Sequence, residues 1–156
     1  MIVVDMNAAN RLPPRGDELL RVFSRFEYAL KDSGFGKANR RNVVEADWDR
    51  FASNELKAPF FAAVRAKALA PTLMANPPSR QVLQGGTLGW DTTAPPANVA
   101  ELMGAVRRVR NNLVHGGKSG DKDSDRNDSL IAEAIEVLLE ALRVHRDLRA
   151  VFEKRW

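Results

Sequence analysis

The chain of 156 residues has no cysteine, one tyrosine and only two histidines. The absence of cysteine excludes disulfide bonds and thiolate metal ligands, and it is typical of proteins in the reducing cytoplasm. No apolar run approaches the roughly 18 residues that a membrane span needs, and the N-terminal residues show no secretory signal. These absences predict a cytoplasmic protein without membrane contact.

The composition is that of an ordinary globular domain, with 44% hydrophobic and 28% charged residues. The length suits one domain over residues 1–156, large enough to bury a core without disulfides. The net charge is +4, and a basic balance favours an anionic partner such as nucleic acid. Because both signs of charge are mixed along the chain, this signal is weak by itself.

Apolar residues recur at spacings of three and four along most of the chain, and this pattern predicts helices. In chain order they cover residues 16–32, 45–56, 59–69 and 97–115, followed by a last helix that runs to about residue 152. Asp125, Asp128 or Ser129 could cap that last helix. Its apolar residues lie on more than one side, which predicts apolar surface for a partner chain. Residues 2–6 could form a short strand.

Residues 71–96 differ from the rest of the chain, because they are rich in proline and glycine and poor in apolar residues. A long loop inside a compact domain is uncommon and is often functional or mobile. We therefore predict a loop excursion here, and not a domain boundary.

The helix over residues 97–115 ends in a group of polar residues. Its buried stripe is predicted from four apolar residues, Leu102, Val106, Val109 and Leu113. Arg110 lies roughly 60° from Leu113 on the helical wheel, beside that stripe. Asn111 and His115 share one face, which Arg107 continues. Two glycines follow His115, so a phosphate or a flexible chain could approach the imidazole.

These residue types suit the cleavage of a phosphodiester without a metal or cofactor. Histidine can move a proton near neutral pH. The planar fork of Arg110 can hold two phosphate oxygens, and Asn111 can orient His115 or donate to phosphate. RNA supplies its own nucleophile, the 2′-hydroxyl. On an ideal helix, however, Arg110 and His115 are separated by about 140°. They can meet only if the last turn unwinds or if two copies of the chain face each other.

A structural interpretation of the same residues stays open. His115 could be a helix C-cap that the helix dipole favours. Arg110 could bridge to Glu27 or Asp47 as a structural ion pair. Trp48, Trp90 and Trp156 could stack on RNA bases, although core or interface packing is the better explanation for each of them. Lys118 could contact RNA phosphates, but nearby aspartates make its segment roughly neutral.

The segment "RNNLVHGGK" (110–118) resembles the arginine–four residues–histidine signature of bacterial HEPN domains. "VFSRFEYALKDSGF" (22–35) and "DWDRFA" (47–52) also fit the layout of small HEPN proteins, so the resemblance spans most of residues 20–145. It implies an all-α, up-and-down bundle of four to five helices, with the long Pro/Gly loop before the motif helix. It also implies a homodimer in which two motifs face each other.

The resemblance further implies a metal-independent endoribonuclease, a toxin or phage-defence effector with an antitoxin or other protein partner. Arg110 and His115 would be the catalytic pair and Asn111 the polar motif residue, with Arg107 and Lys118 binding RNA. The implied products are a 2′,3′-cyclic phosphate and a 5′-hydroxyl. Some HEPN toxins carry a modifiable tyrosine where this chain has Gly117. Other HEPN domains do not cleave, and the alternative is a dimerisation module that binds a protein, a nucleotide or RNA.

Overall fold

Two short β-hairpins interrupt a chain that is about 61% helical over the residues described. The computed structural model describes residues 1–9, 11–115 and 123–155. The helices are α1 (Met6–Ala9), α2 (Gly16–Asp32), α3 (Trp48–Phe51), α4 (Lys57–Ala66), α5 (Pro71–Ala75), α6 (Val99–His115), α7 (Ser124–Val144) and α8 (Arg146–Phe152), with a π-helical segment (Ala52–Leu56) between α3 and α4. The strands are β1 (Gly36–Ala38), β2 (Val44–Ala46), β3 (Arg80–Gln84) and β4 (Thr87–Asp91).

The prediction of an all-α bundle of four to five helices is wrong. β1 pairs with β2 and β3 pairs with β4, each in the antiparallel sense. The described residues also form more helices than that bundle contains, since α1, α3 and α5 are short additional ones. The predicted strand over residues 2–6 is absent, because α1 begins at Met6. All these errors lie in short segments, where apolar spacing does not separate a strand from a helix.

The proline- and glycine-rich segment 71–96 is structured, contrary to the predicted loop. It begins with α5 and continues into the β3–β4 hairpin. Gly85 and Gly86 form the turn, with φ angles of 55° and 79°. This left-handed backbone is what a two-residue hairpin turn requires, and glycine adopts it without steric strain. Local strand pairing therefore orders a segment that has few apolar residues.

The helix predicted over residues 45–56 starts later than expected. Val44–Ala46 pairs with Gly36–Ala38 and is therefore a strand. Asp47 then caps α3, because its side chain accepts a hydrogen bond from the backbone N–H of Arg50 at 3.3 Å. The helix runs on through the π-helical segment into α4, which begins at Lys57 and so includes Pro59 near its start.

The hydrophobic core lies where α2, α6 and α7 pack against one another, with the shorter helices around them. Helix α2 has the predicted bounds and the predicted apolar face. Its buried side chains include Leu19, Phe23, Phe26, Ala29 and Leu30. Truncating one of the large ones to alanine is expected to cost about 2–5 kcal/mol of stability. This core fixes the position and rotation of α6, on which the candidate site depends.

The predicted last helix is divided into two helices at His145. This residue leaves helical geometry, with a φ angle of −112° and a ψ angle of 93°. At the other end, α7 is capped by Asp123, which accepts a hydrogen bond from the backbone N–H of Arg126 at 3.1 Å. The predicted caps, Asp125, Asp128 and Ser129, all lie inside the helix.

Helix α7 does not carry the surplus apolar face that was predicted for a partner chain. Leu130 and Val137 are 3% and 0% exposed, because the chain's own core covers them. Val144 stays 60% exposed at the end of the helix. As for membrane contact, no helix in the described ranges is long and apolar enough to cross a bilayer.

Two buried glutamates on α7 stabilise the α4–α5 side of the core. Glu133 accepts the backbone N–H groups of Thr72 and Leu73 at 3.0 and 2.8 Å, and so caps α5 from outside. Glu140 accepts from Lys67 Nζ at 2.6 Å and from Arg143 Nη1 at 2.9 Å. These hydrogen bonds lower the pKa of the Glu140 carboxyl below its ordinary value.

We predict that His145 stabilises the junction of α7 and α8. Its Nδ1 accepts the backbone N–H of Leu148 at 3.1 Å, its Nε2 lies 3.0 Å from Glu55 Oε2, and its ring packs on Phe51. His145→Ala should lower the free energy of unfolding by about 1–2 kcal/mol, since a cap and ring packing are lost. His145→Asn, which can still cap, should lose less. Equal losses in urea titrations would contradict the capping role.

We also predict a pH-dependent stability from Glu140. Because folding lowers its pKa, the ionised carboxylate stabilises the folded state above the ordinary value of 4.5. That contribution is lost as the pH falls through the lower pKa of the folded state. Urea unfolding between neutral pH and acid should show this loss in the wild type and a shallower acid slope in Glu140→Gln. Glu136→Gln, which leaves Glu140 in place, should keep the slope; if Glu140→Gln keeps it too, the assignment is wrong.

Candidate active site

The rotation of α6 decides where each residue of the motif lies. Leu102, Val106 and Val109 are 0%, 0% and 5% exposed, so the predicted stripe faces the core. Helix α6 remains α-helical through His115. Its last turn therefore does not unwind within the described residues. The polar residues on the two sides of the stripe consequently lie at two different sites, one facing α2 and one facing β3.

Arg110 lies on the side of α6 that faces α2. Its Nη2 is 3.6 Å from Glu27 Oε1, and its guanidinium carbon is 4.4 Å from the centroid of the Phe23 ring. Its Nε is buried and has no hydrogen-bond acceptor among the described residues. The charge of Arg110 is thus offset by one carboxylate and one aromatic face. Of the two partners predicted for a structural role, Glu27 is the one in contact.

Glu27 also connects Arg110 to the aromatic core. The indole N–H of Trp48 donates to Glu27 Oε2 at 3.0 Å. Trp48 is 2% exposed and stacks on Phe26 at a ring-centroid distance of 5.1 Å. Its faces are therefore not free to stack on RNA bases. Trp90 is 41% exposed on β4, and Trp156 lies outside the described residues.

Arg107 lies over the Trp48 ring, with its guanidinium carbon 5.9 Å from the centroid. It lines a pocket of about 330 Å³ between α2, α6 and β2, together with charged residues of both signs: Glu27, Lys31, Lys37 and Glu45. The structure does not bring Arg107 to His115, although the polar row predicted on the helical wheel joins them.

His115 and Asn111 line a separate open groove of about 300 Å³. The end of α6 forms one wall of this groove, and the start of β3 forms the other. The lining residues are Arg80, Gln81, Arg108, Asn111, Asn112 and His115. Arg110 is not among them. Within one subunit, the structure therefore joins His115 to Asn111 but separates it from Arg110.

Two hydrogen bonds hold the hairpin against α6 at this groove, and a third joins the two segments that flank the hairpin. Asn112 is 4% exposed, and its side-chain amide donates to the carbonyl of Ser79 at 2.8 Å. Arg108 Nε donates to the carbonyl of Pro78 at 3.0 Å. The Thr93 hydroxyl donates to the same carbonyl at 2.9 Å. The backbone before β3 is therefore fixed to the last turns of α6, and Arg80 and Gln81 follow it into the groove wall.

The groove is positively charged. Burial and the charge of Arg80 lower the pKa of the Arg108 guanidinium. Arginine nevertheless stays protonated at neutral pH. The described residues that line the groove include no carboxylate. Arg80 lies 3.9 Å from Asp91, in a pair whose side chains are 65% and 49% exposed, and such pairs contribute little. An anion entering the groove would therefore meet cationic charge that is only weakly offset.

Comparison of the chain with protein-family models, with curated proteins and with solved structures finds no match. Within the described ranges, no three histidine, cysteine or acidic residues gather as a group that could hold a metal ion. Lys118, the second predicted RNA contact, lies outside those ranges, as do Gly116 and Gly117. The site must therefore be interpreted from its own geometry.

Sequence reasoning missed Arg80, Gln81 and Arg108. The first two lie in the segment predicted as a loop, although its sequence carried a hairpin signal. Two glycines, Gly85 and Gly86, stand between short runs that contain Val82, Leu83 and Leu88. Arg108 follows Arg107 in the sequence and lies about 100° from it on the helical wheel, but only the presence of β3 makes it a groove residue.

We predict a modest stabilising contact between Arg110 and Glu27. A double-mutant cycle of Arg110→Ala and Glu27→Ala should give a coupling free energy of about 0.5–1 kcal/mol, since the pair is partly exposed and its charges are 3.6 Å apart. Arg110→Ala alone should cost more, because the contact with Phe23 is also lost. Chemical unfolding of the four proteins measures both quantities. A coupling of zero would show that the two side chains do not interact in solution.

Proposed function

We propose that this protein is a metal-independent endoribonuclease, with His115 and Asn111 in its active site. One observation carries the proposal: these two residues line an open groove whose other described residues include two arginines and no carboxylate. A polyanion is attracted to such a groove, and an imidazole at its edge can move protons during cleavage. The resemblance of the motif to that of HEPN domains supports the same reaction.

The proposed reaction is attack by the 2′-hydroxyl on the neighbouring phosphorus. His115 accepts the proton of that hydroxyl as the bond between O2′ and phosphorus forms. The bond between phosphorus and O5′ then breaks, and O5′ takes a proton from the imidazolium or from water. The products are a 2′,3′-cyclic phosphate and a 5′-hydroxyl. Asn111, one turn before His115 on the same face, orients the imidazole or donates to a phosphate oxygen.

A catalytic role for Arg110 requires a second copy of the chain. Because α6 stays helical to His115, Arg110 points towards Glu27 and away from the groove. In a symmetric homodimer, Arg110 of one subunit can face His115 of the other. We therefore include a homodimer in the proposal. The role of toxin or phage-defence effector, with an antitoxin or other partner, rests on the resemblance alone.

We predict that the purified protein cleaves single-stranded RNA in the presence of EDTA and that His115→Ala does not. The loss should be about a hundredfold or more, since general acid–base catalysis contributes that much. Val114→Ala is the matched control, because Val114 is the neighbouring residue on α6 and is 49% exposed. Gel analysis should show 2′,3′-cyclic phosphate ends. Cleavage that is equal in wild type and His115→Ala would remove His115 from the mechanism.

A mixing experiment tests the second copy. Arg110→Ala and His115→Ala should each be inactive if both residues act across a dimer. A heterodimer of the two variants then contains one intact composite site. Mixing equal amounts should restore up to about a quarter of the wild-type activity, because half of the dimers are mixed and each has one of its two sites. Activity that stays absent while native mass spectrometry of differently tagged variants shows mixed dimers would exclude the shared site.

A second candidate function is a binding module without cleavage. The contacts of Arg110 with Glu27 and Phe23 favour it, because they explain the motif arginine by structure alone. This module would still bind an anionic partner such as RNA or a nucleotide at the groove. Binding of RNA without cleavage, equal in wild type and His115→Ala, would favour it over the nuclease.

A further inference from the structure

Three residues that line the groove lie outside the catalytic motif and carry hydrogen-bond donors: Arg80, Gln81 and Arg108. Gln81 Nε2 is buried and has no hydrogen-bond acceptor among the described residues. A buried amide donor without an acceptor costs roughly 1–3 kcal/mol, so natural structures rarely leave one unless a ligand or water completes it. Gln81 lines the groove beside Arg80 and Arg108. The lining of the groove therefore includes one unused donor and two cationic side chains.

We infer that Arg80, Gln81 and Arg108, which line the groove within one subunit, bind a backbone phosphate of RNA. The inference rests on the RNA substrate of the proposed function and names the residues that hold it. It adds three residues to the motif-based assignment, in which only motif residues and Lys118 contact RNA.

The geometry of Arg108 fits this role. Its Nε is held by the carbonyl of Pro78 at 3.0 Å, and its Nη2 reaches the Thr93 hydroxyl at 3.4 Å. These bonds fix the plane of the guanidinium, while the structure gives its Nη1 no acceptor among the described residues. A fixed guanidinium loses little entropy when it binds a phosphate oxygen.

The charge distribution also distinguishes the two sites. Burial and, to a lesser extent, the charge of Arg80 lower the pKa of Arg108. The described lining of the groove includes no carboxylate, and the nearby Asp91 forms only an exposed pair with Arg80 at 3.9 Å. A phosphodiester carries one negative charge over two free oxygens, which suits two guanidinium groups and one amide. Within its own subunit, Arg110 contacts Glu27 and Phe23 and does not line the groove.

The test measures binding separately from cleavage. A fluorescein-labelled 2′-O-methyl RNA of twelve nucleotides lacks the nucleophile, so it reports binding alone by fluorescence anisotropy. Arg80→Glu and Arg108→Lys should each weaken binding by about tenfold. Arg80→Gln, which removes a single charge, should also lower the slope of log affinity against log salt by about 0.7. Arg21→Glu is the matched charge control, because Arg21 is 72% exposed on α2.

Gln81→Met separates ligand binding from a structural role. The substitution keeps the length of the side chain and removes the unpaired donor. The variant should be at least as heat-stable as the wild type, yet it should bind the RNA several-fold more weakly. Unchanged affinity in Gln81→Met and in Arg80→Glu overturns the inference, even if the protein cleaves RNA. Affinity that depends on these residues supports it, even if the protein does not cleave.

A competition experiment identifies the ligand group. At equal ionic strength, inorganic phosphate should displace more of the labelled RNA than chloride does, because the groove binds the phosphate group itself. Displacement that depends only on ionic strength would mean general attraction to a basic surface and would overturn the specific site.

Discussion

The helical phase of α6 is the constraint on which the rest of the site depends. An α-helix advances about 100° per residue, so burying one stripe fixes the direction of every other side chain. With Leu102, Val106 and Val109 in the core, Arg110 must turn towards α2 and His115 towards the hairpin. Unwinding the last turn would change this, but α6 is regular to His115. A single chain therefore places the motif residues at two separate sites, one beside Glu27 and one in the groove, whereas the motif predicts one site.

The β3–β4 hairpin completes the groove that contains His115. A two-stranded hairpin has little stability by itself, and here it is fixed by side chains of α6. Asn112 and Arg108 both donate to the backbone just before β3. The same contacts bring Arg80 and Gln81 next to His115. Arg108 therefore has two roles. Its hydrogen bond anchors the hairpin, and its guanidinium adds positive charge to the groove.

The contacts of Arg110 with Glu27 and Phe23 link the motif to the stability of the core. Glu27 joins the indole of Trp48 to the guanidinium of Arg110, and Phe23 packs beneath that guanidinium. A partly buried arginine needs such partners, because an uncompensated charge in the interior is costly. These contacts give Arg110 a structural role in one subunit, and any role across a dimer would add to it. They also explain why a motif match cannot by itself assign a function to this arginine.

The sequence by itself determined the long helices α2 and α6, the buried stripes of both and the shared face of Asn111 and His115. Such features follow from periodicity within one helix, which needs no distant contact. Packing between distant segments determines the break at His145 and the choice of Glu27 over Asp47 as the partner of Arg110. The β3–β4 hairpin, in contrast, has a local signal in Gly85 and Gly86. The tertiary structure also decided the groove, since Arg80 and Arg108 are far apart in sequence. Contacts between distant segments depend on how the core packs, and no local pattern records them.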